Sequence, residues 1–122
     1  MSKFSKFEEI KSWQMSRALV KRIYEITQRQ EFSRDFSFRD QIRRSSLSAM
    51  SNIAEGFERY SNKEFARFLN IARASIAETK SQLYAAVDLN YIKEQEFVEL
   101  KNECESISRH IWKLTEYLRK NP

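Results

Sequence analysis

One glycine, one proline, one cysteine and one histidine occur in 122 residues, and each scarcity closes off a class of structure or chemistry. At the usual ~7% a chain of this length would carry about nine glycines. Sheet architectures, with their frequent glycine and proline turns, fit such a composition poorly, whereas long helices joined by short connections need few of either. A glycine-rich phosphate loop cannot be built from one glycine. Cys104 has no internal partner for a disulfide, in keeping with a reducing compartment. Ile107, not glutamate, stands three residues before His110, so the Glu-x-x-His pair of bundle di-metal sites is missing, and a two-histidine zinc motif is impossible. No metal or cofactor is expected. No apolar run approaches the ~18 residues of a membrane span. Met1-Ser2-Lys3-Phe4-Ser5-Lys6 lacks the apolar core of a signal peptide, so a cytoplasmic location is expected.

What the chain does have is helical periodicity. The pattern predicts a single all-α domain over residues 1–122, an antiparallel up-and-down four-helix bundle with helices over about 7–30, 37–60, 62–90 and 94–120. Trp13, Leu19, Val20, Ile23, Tyr24 and Ile26 make the apolar stripe of the first helix. A loop is expected over Glu31 to Asp35, and Ser37 with Asp40 reads as the cap of the second helix, whose inner face carries Phe38, Ile42, Ala49, Ile53 and Gly56. Ser61 with Glu64 matches a capping box opening the third helix, and Asn90, tolerant of the left-handed conformation, closes it. In the fourth, Phe97, Leu100, Cys104, Ile107, Ile111, Leu114 and Leu118 recur at alternating steps of three and four, a heptad seam suited to antiparallel packing at about 20°. Cys104 lies in that seam and reads as a small core residue rather than a nucleophile.

The stretch from Gln41 to Arg73 concentrates what is unusual. Small or polar residues (Ser45, Ser48, Ala49, Ser51, Asn52, Ala54, Gly56) stand where a bundle helix normally carries leucine, and Gly56 marks a close helix crossing, because glycine in a helix costs about 1 kcal/mol relative to alanine. Asn52 and Glu55 on this surface are expected to join an interhelical hydrogen-bond network. Charge is uneven as well. Lys11 to Arg44 holds nine basic and four acidic residues, an excess equal to the +5 of the whole chain. Asp40 is placed to pair with Arg43 or Arg44, Glu55 with Arg59 and Glu64 with Arg67, but such pairs contribute only about 0.2–0.5 kcal/mol each. Arginine's planar fork suits carboxylate or phosphate. Arg39, Arg43, Arg44, Arg59, Lys63 and Arg67 are therefore the candidate nucleic-acid contacts, and Ser51, Asn52, Glu55, Gly56 and Arg73 the candidate packing and assembly residues.

Ile42-Arg43-Arg44, Ser51-Asn52-Ile53-Ala54-Glu55-Gly56 and Glu64-Phe65-Ala66-Arg67-Phe68-Leu69-Asn70-Ile71-Ala72-Arg73 resemble successive signature blocks of the four-helix bundle proteins encoded by intervening sequences in bacterial large-subunit ribosomal RNA genes. The likeness runs from about Phe7 to Leu118. Met50 stands where that family commonly has proline and Ser37 where it has glycine, so the second helix is expected to be less kinked. The resemblance implies a ring-shaped homopentamer with a central passage, and ribosomal RNA as its natural ligand. Related bundles accompany reverse transcriptases in diversity-generating retroelements.

Two functions are consistent with these features. One is a non-enzymatic RNA-binding protein whose repeated basic stripe contacts phosphates and reads shape rather than base sequence. The other is a protein-interaction scaffold, like a reverse-transcriptase accessory protein, whose arginines serve subunit contacts. No catalytic residues are expected in either case.

Overall fold

A computed structural model describes residues 4–122. A 3-10 turn at Phe7–Glu9 is followed by α1 (Lys11–Thr27), the short α2 (Gln30–Arg34), α3 (Phe36–Phe57), α4 (Asn62–Asp88) and α5 (Glu94–Lys120). The chain forms the expected all-α antiparallel bundle: α1 packs on α3 and α5, α4 packs on α3 and α5, and α1 and α4 lie diagonally opposed. Cross-helix contacts show the directions. Arg22 meets Glu103 while Arg29, further along α1, meets Glu96, and Ser45 meets Thr79 while Ser48 meets Ser75. Among the described residues no helix is long and apolar enough to cross a membrane.

All seven residues of the α5 heptad seam are buried, in one core with Leu19, Ile23 and Ile26 of α1, Ile42, Ala49 and Ile53 of α3, and Phe65, Leu69, Ala72, Ile76, Leu83 and Ala86 of α4. Cys104 is fully buried there, and burial pushes its thiol up to about 12, so it packs as a neutral apolar group.

The helix ends differ from expectation at instructive places. The first helix starts later and stops sooner than expected, because Ile10 is extended and Thr27 is followed by α2. The loop expected over 31–35 is instead mostly this one-turn helix, which turns Phe32 fully inward to stack on Phe38 and Tyr91, with centroids 5.1 and 4.9 Å away. Burying an aromatic ring outweighs the weak local propensity of so short a segment. Asp35 rather than Ser37 caps α3: one carboxylate oxygen accepts the Phe38 amide at 3.3 Å and the other accepts the Tyr91 hydroxyl at 2.9 Å. Ser37 is an exposed residue within α3, which runs unbroken through Met50 and stops at Phe57, short of Tyr60. Ser61 does cap α4, accepting the Glu64 amide at 3.3 Å, but the Glu64 carboxylate turns to Arg67 instead of completing the box. Asn90 takes the left-handed conformation after α4, with φ 62°.

The α3–α4 contact is the tightest in structural terms. Ser45 Oγ lies 2.7 Å from Thr79 Oγ1 and donates to Gln82 Oε1 at 2.8 Å, and the hydroxyls of Ser48 and Ser75 are 2.9 Å apart. Beyond this ladder comes Gly56, where a β-carbon would lie 2.6 Å from Phe68 Cβ and 3.0 Å from Phe65 Cδ1. Phe68 Cβ is tied directly to the α4 backbone, so only movement of a whole helix could relieve the first overlap. Gly56→Ala is therefore expected to lower stability, with about 1–3 kcal/mol of overpacking against a helix-propensity gain of about 1 kcal/mol, and Gly56→Leu to lower it further. Urea unfolding checks this, and an alanine variant as stable as wild type would show that the crossing is not constrained.

Opposite this contact, α1 and α5 are joined by ion pairs. Arg22 reaches Glu99 at 3.3 Å and Glu103 at 3.1 Å, and Arg29 holds Glu96 with two bonds of 2.8 and 2.6 Å. Glu96 also accepts the Lys93 amide at 3.0 Å, half of a capping box, since the lysine side chain has no acceptor to return. The Arg29 bonds, with the Lys93 amide, hold the Glu96 carboxyl down at about 2, against an ordinary 4.5. A depressed carboxylate stabilises the fold above its ordinary value and loses that contribution as pH falls from about 4.5 toward about 2. Solvent around the half-exposed guanidinium limits the contribution to about 1 kcal/mol. The stability difference between wild type and Glu96→Gln, measured by urea unfolding, should narrow as pH is lowered from 6 to 3, and a difference independent of pH would assign the effect to packing.

Candidate nucleic-acid interface

The six candidate phosphate contacts fall into two groups at opposite ends of α3. About 15 residues of chain, or roughly 20 Å if wholly helical, separate Arg44 from Arg59.

The first group lies where α3 crosses the end of α1. Arg43 is half-buried: its Nε donates to Thr27 Oγ1 at 2.8 Å and its guanidinium sits 4.4 Å from the centre of the Tyr24 ring. Arg39 donates to Asp40 at 3.0 Å and to the Ser33 carbonyl at 3.1 Å, and lies 5.0 Å from the Phe36 ring. Asp40 thus pairs with its neighbour instead of with Arg43 or Arg44, because Thr27 and Tyr24 draw Arg43 across to α1. Arg44 is exposed and makes no ion pair or hydrogen bond among the described residues. A recess of about 440 Å³ opens between Tyr24, Asp40, Arg43, Arg44, Leu47, Ser48 and Ser51. Two of the three arginines are committed to structure, so Arg44 is the one free to meet a ligand.

The second group surrounds the turn between α3 and α4. Arg59 and Arg67 both lie against the Phe68 ring, at 4.9 and 4.7 Å from its centre. The expected Glu55–Arg59 pair does not form, whereas Arg67 does hold Glu64, at 3.1 Å, and this hydrogen bond keeps the Glu64 carboxyl below the usual carboxylate range. Arg59 and Lys63 are exposed and form no ion pair among the described residues, although their charges also lower the Glu64 carboxyl through space. Lys63, Arg67 and the Glu64 carboxylate line a recess of about 550 Å³ at the N-terminus of α4, where the helix dipole adds a positive field. Arg119, at the end of α5, lines the same recess and pairs with Glu116 at 3.0 Å. Sequence reasoning missed Arg119, although the antiparallel arrangement of the last two helices places the end of one beside the start of the other.

The candidate packing residues also separate. Gly56 lies at the close crossing described above, and Arg73 joins α4 to α5 by donating to Ser108 Oγ at 3.0 Å while lying 5.0 Å from the Trp112 ring. Asn52 donates to the Ser48 carbonyl at 2.8 Å within its own helix, and Ser51 and Glu55 are exposed. The interhelical network is formed one to two turns earlier, by Ser45 and Ser48, and Asn52 joins it as expected by donating to Ser48 Oγ at 3.1 Å, whereas the Glu55 carboxylate makes no hydrogen bond among the described residues. Short hydroxyl side chains span the close crossing, and the longer Gln82 and Asn52 bond to them from its margin. Trp112, exposed beside Arg73 and Arg119, is a surface aromatic that the apolar periodicity of α5 does not reveal.

The model of the 23S rRNA-intervening sequence protein family matches residues 8–113. A crystal structure of a protein of unknown function from the S23 ribosomal protein family, from Bacteroides thetaiotaomicron VPI-5482, superposes with a TM-score of 0.79 at 24% identity, over 86% of this chain and 95% of that one. At that identity the likeness establishes the shared fold. No curated protein matches. The family match covers the helices that carry both basic groups, and the chain belongs to the 23S rRNA-intervening sequence protein family.

Proposed function

We propose that the protein is a homo-oligomeric RNA-binding protein that contacts the phosphate backbone through exposed cations and reads shape rather than base sequence. The observation that carries this reading is the set Arg44, Arg59 and Lys63, three exposed candidate contacts that form no ion pair among the described residues, set in a chain of net charge +5. Unpaired surface arginine and lysine exchange condensed counterions for phosphates, the main source of sequence-independent affinity. One such group binds weakly. Repeated around a ring of five subunits, as the family resemblance implies, these weak sites act together at high effective concentration. The family's description ties it to 23S rRNA intervening sequences, which supports ribosomal RNA as the ligand in this reading, with a cytoplasmic location to match.

A scaffold reading is favoured by a different observation. Leu47, Ile71 and Trp112 are partly exposed, at 38%, 40% and 41%, and supply apolar surface for subunit or partner contacts beside the arginines.

Charge reversal separates the two. With Arg44, Arg59 and Lys63 changed together to glutamate, structured-RNA affinity is expected to fall about tenfold or more while native mass stays at the wild-type value. The wild-type log–log salt slope should be steep, roughly 0.7 to 0.9 per phosphate engaged, and flatter in the variant. Arg43 is left intact because its loss would break the Thr27 contact. A variant that loses its oligomer would assign these cations to assembly, and unchanged RNA affinity would remove them from the interface.

A further inference from the structure

We propose a second anion site, independent of the basic groups on α3 and α4: a cavity at the N-terminus of α1 that takes a single phosphate-sized oxyanion, either free phosphate or the terminal phosphomonoester of an RNA. The cavity, about 220 Å³, lies between the segment before α1 and the later part of α5, with Phe4, Ile10 and Leu114 as apolar walls and Lys11, Ser12, His110 and Lys113 as polar ones.

Two observations point to an anion. First, Ser12 is 2% exposed and its hydroxyl has no hydrogen-bond partner. A buried hydroxyl without a partner costs about 1–3 kcal/mol. The usual relief for a helical serine, bonding back to the carbonyl four residues earlier, is contested here because the Gln14 side chain donates to the Glu8 carbonyl at 2.8 Å. Second, α1 opens without a capping side chain, and its first intrahelical bond is from the Gln14 amide to the Ile10 carbonyl at 3.1 Å. The amides of the first turn are therefore left for an outside acceptor.

Charge around the cavity has the right sign. Lys11 and Lys113 are exposed and make no ion pair among the described residues. The nearby Glu9 carboxylate is occupied by Ser5, accepting its amide at 3.0 Å and its hydroxyl at 2.9 Å. His110 Nδ1 lies 2.9 Å from the Ser106 carbonyl, an acceptor only, so the ring donates there and Nε2 of the neutral ring is an acceptor, able to meet only a protonated phosphate oxygen. A serine hydroxyl, open amides and two lysines form a donor set for one tetrahedral oxyanion.

The test is titration of the full-length protein with inorganic phosphate at constant ionic strength, following melting temperature and binding heat, with chloride as control. Saturable binding and a rise in melting temperature absent with chloride are expected. Ser12→Ala and Lys113→Gln should each weaken phosphate binding about tenfold, the worth of one charge-assisted hydrogen bond. Lys113 is exposed, so its variant should fold normally, and a control at Lys101 should bind as wild type. No saturable response, or responses unchanged in both variants, would overturn the site. A 5′-phosphorylated oligoribonucleotide preferred over its 5′-hydroxyl form, with the preference lost in Lys113→Gln, would identify the RNA end as the source; phosphate binding without that preference would identify the free anion. Reversal of Arg44, Arg59 and Lys63 should leave phosphate binding intact, so failure here and failure of the backbone interface can be told apart.

Discussion

The approach of α3 to α4 at Gly56 is the constraint on which the rest of the bundle depends. With no β-carbon at this position, the α3 backbone can come against Phe68 Cβ and Phe65. Along the same interface serine and threonine replace the large aliphatic residues typical of bundle seams, and their hydroxyls pair across it. Close packing of backbones and satisfied buried hydroxyls reinforce each other: the short side chains permit the approach, and the approach brings their oxygens within bonding distance. The short turn after Phe57 follows, and with it the presentation of Arg59, Lys63 and Arg67 at one end of the molecule.

The remaining interfaces work differently. Between α1 and α5 a heptad seam fills the interior and ion pairs line the edge, so the carboxylates of α5 neutralise Arg22 and Arg29. These two arginines belong to the stretch that carries the chain's positive excess, yet they are unavailable to a polyanion without breaking interhelical bonds. The net positive charge of that stretch therefore overstates its free positive surface. Arg43 is withdrawn in the same way by Thr27 and Tyr24. The exposed cations that form no ion pair among the described residues include Arg44, with Arg59 and Lys63 at the α3–α4 turn and, on the face formed by α1 and α5, Lys11 and Lys113. A ligand engaging all of them would have to extend over much of the bundle, which suits a backbone-tracking polyanion better than a small molecule.

By itself the sequence determined the fold class, the α5 seam residue by residue, the cap at Ser61, the left-handed stop at Asn90 and the close approach at Gly56. Each of these depends on spacing or local conformational preference within a few residues, which the chain order carries directly. Tertiary structure alone decided that Phe32 folds inward on a one-turn helix, that Asp35 caps α3 while accepting from Tyr91 some 56 residues away, and that Asp40 pairs with Arg39. It also decided which arginines are free. A surface pair contributes a few tenths of a kcal/mol, so several partners compete for each cation on nearly equal terms. The choice among them falls to whatever the neighbouring helix happens to present, and no local pattern encodes that.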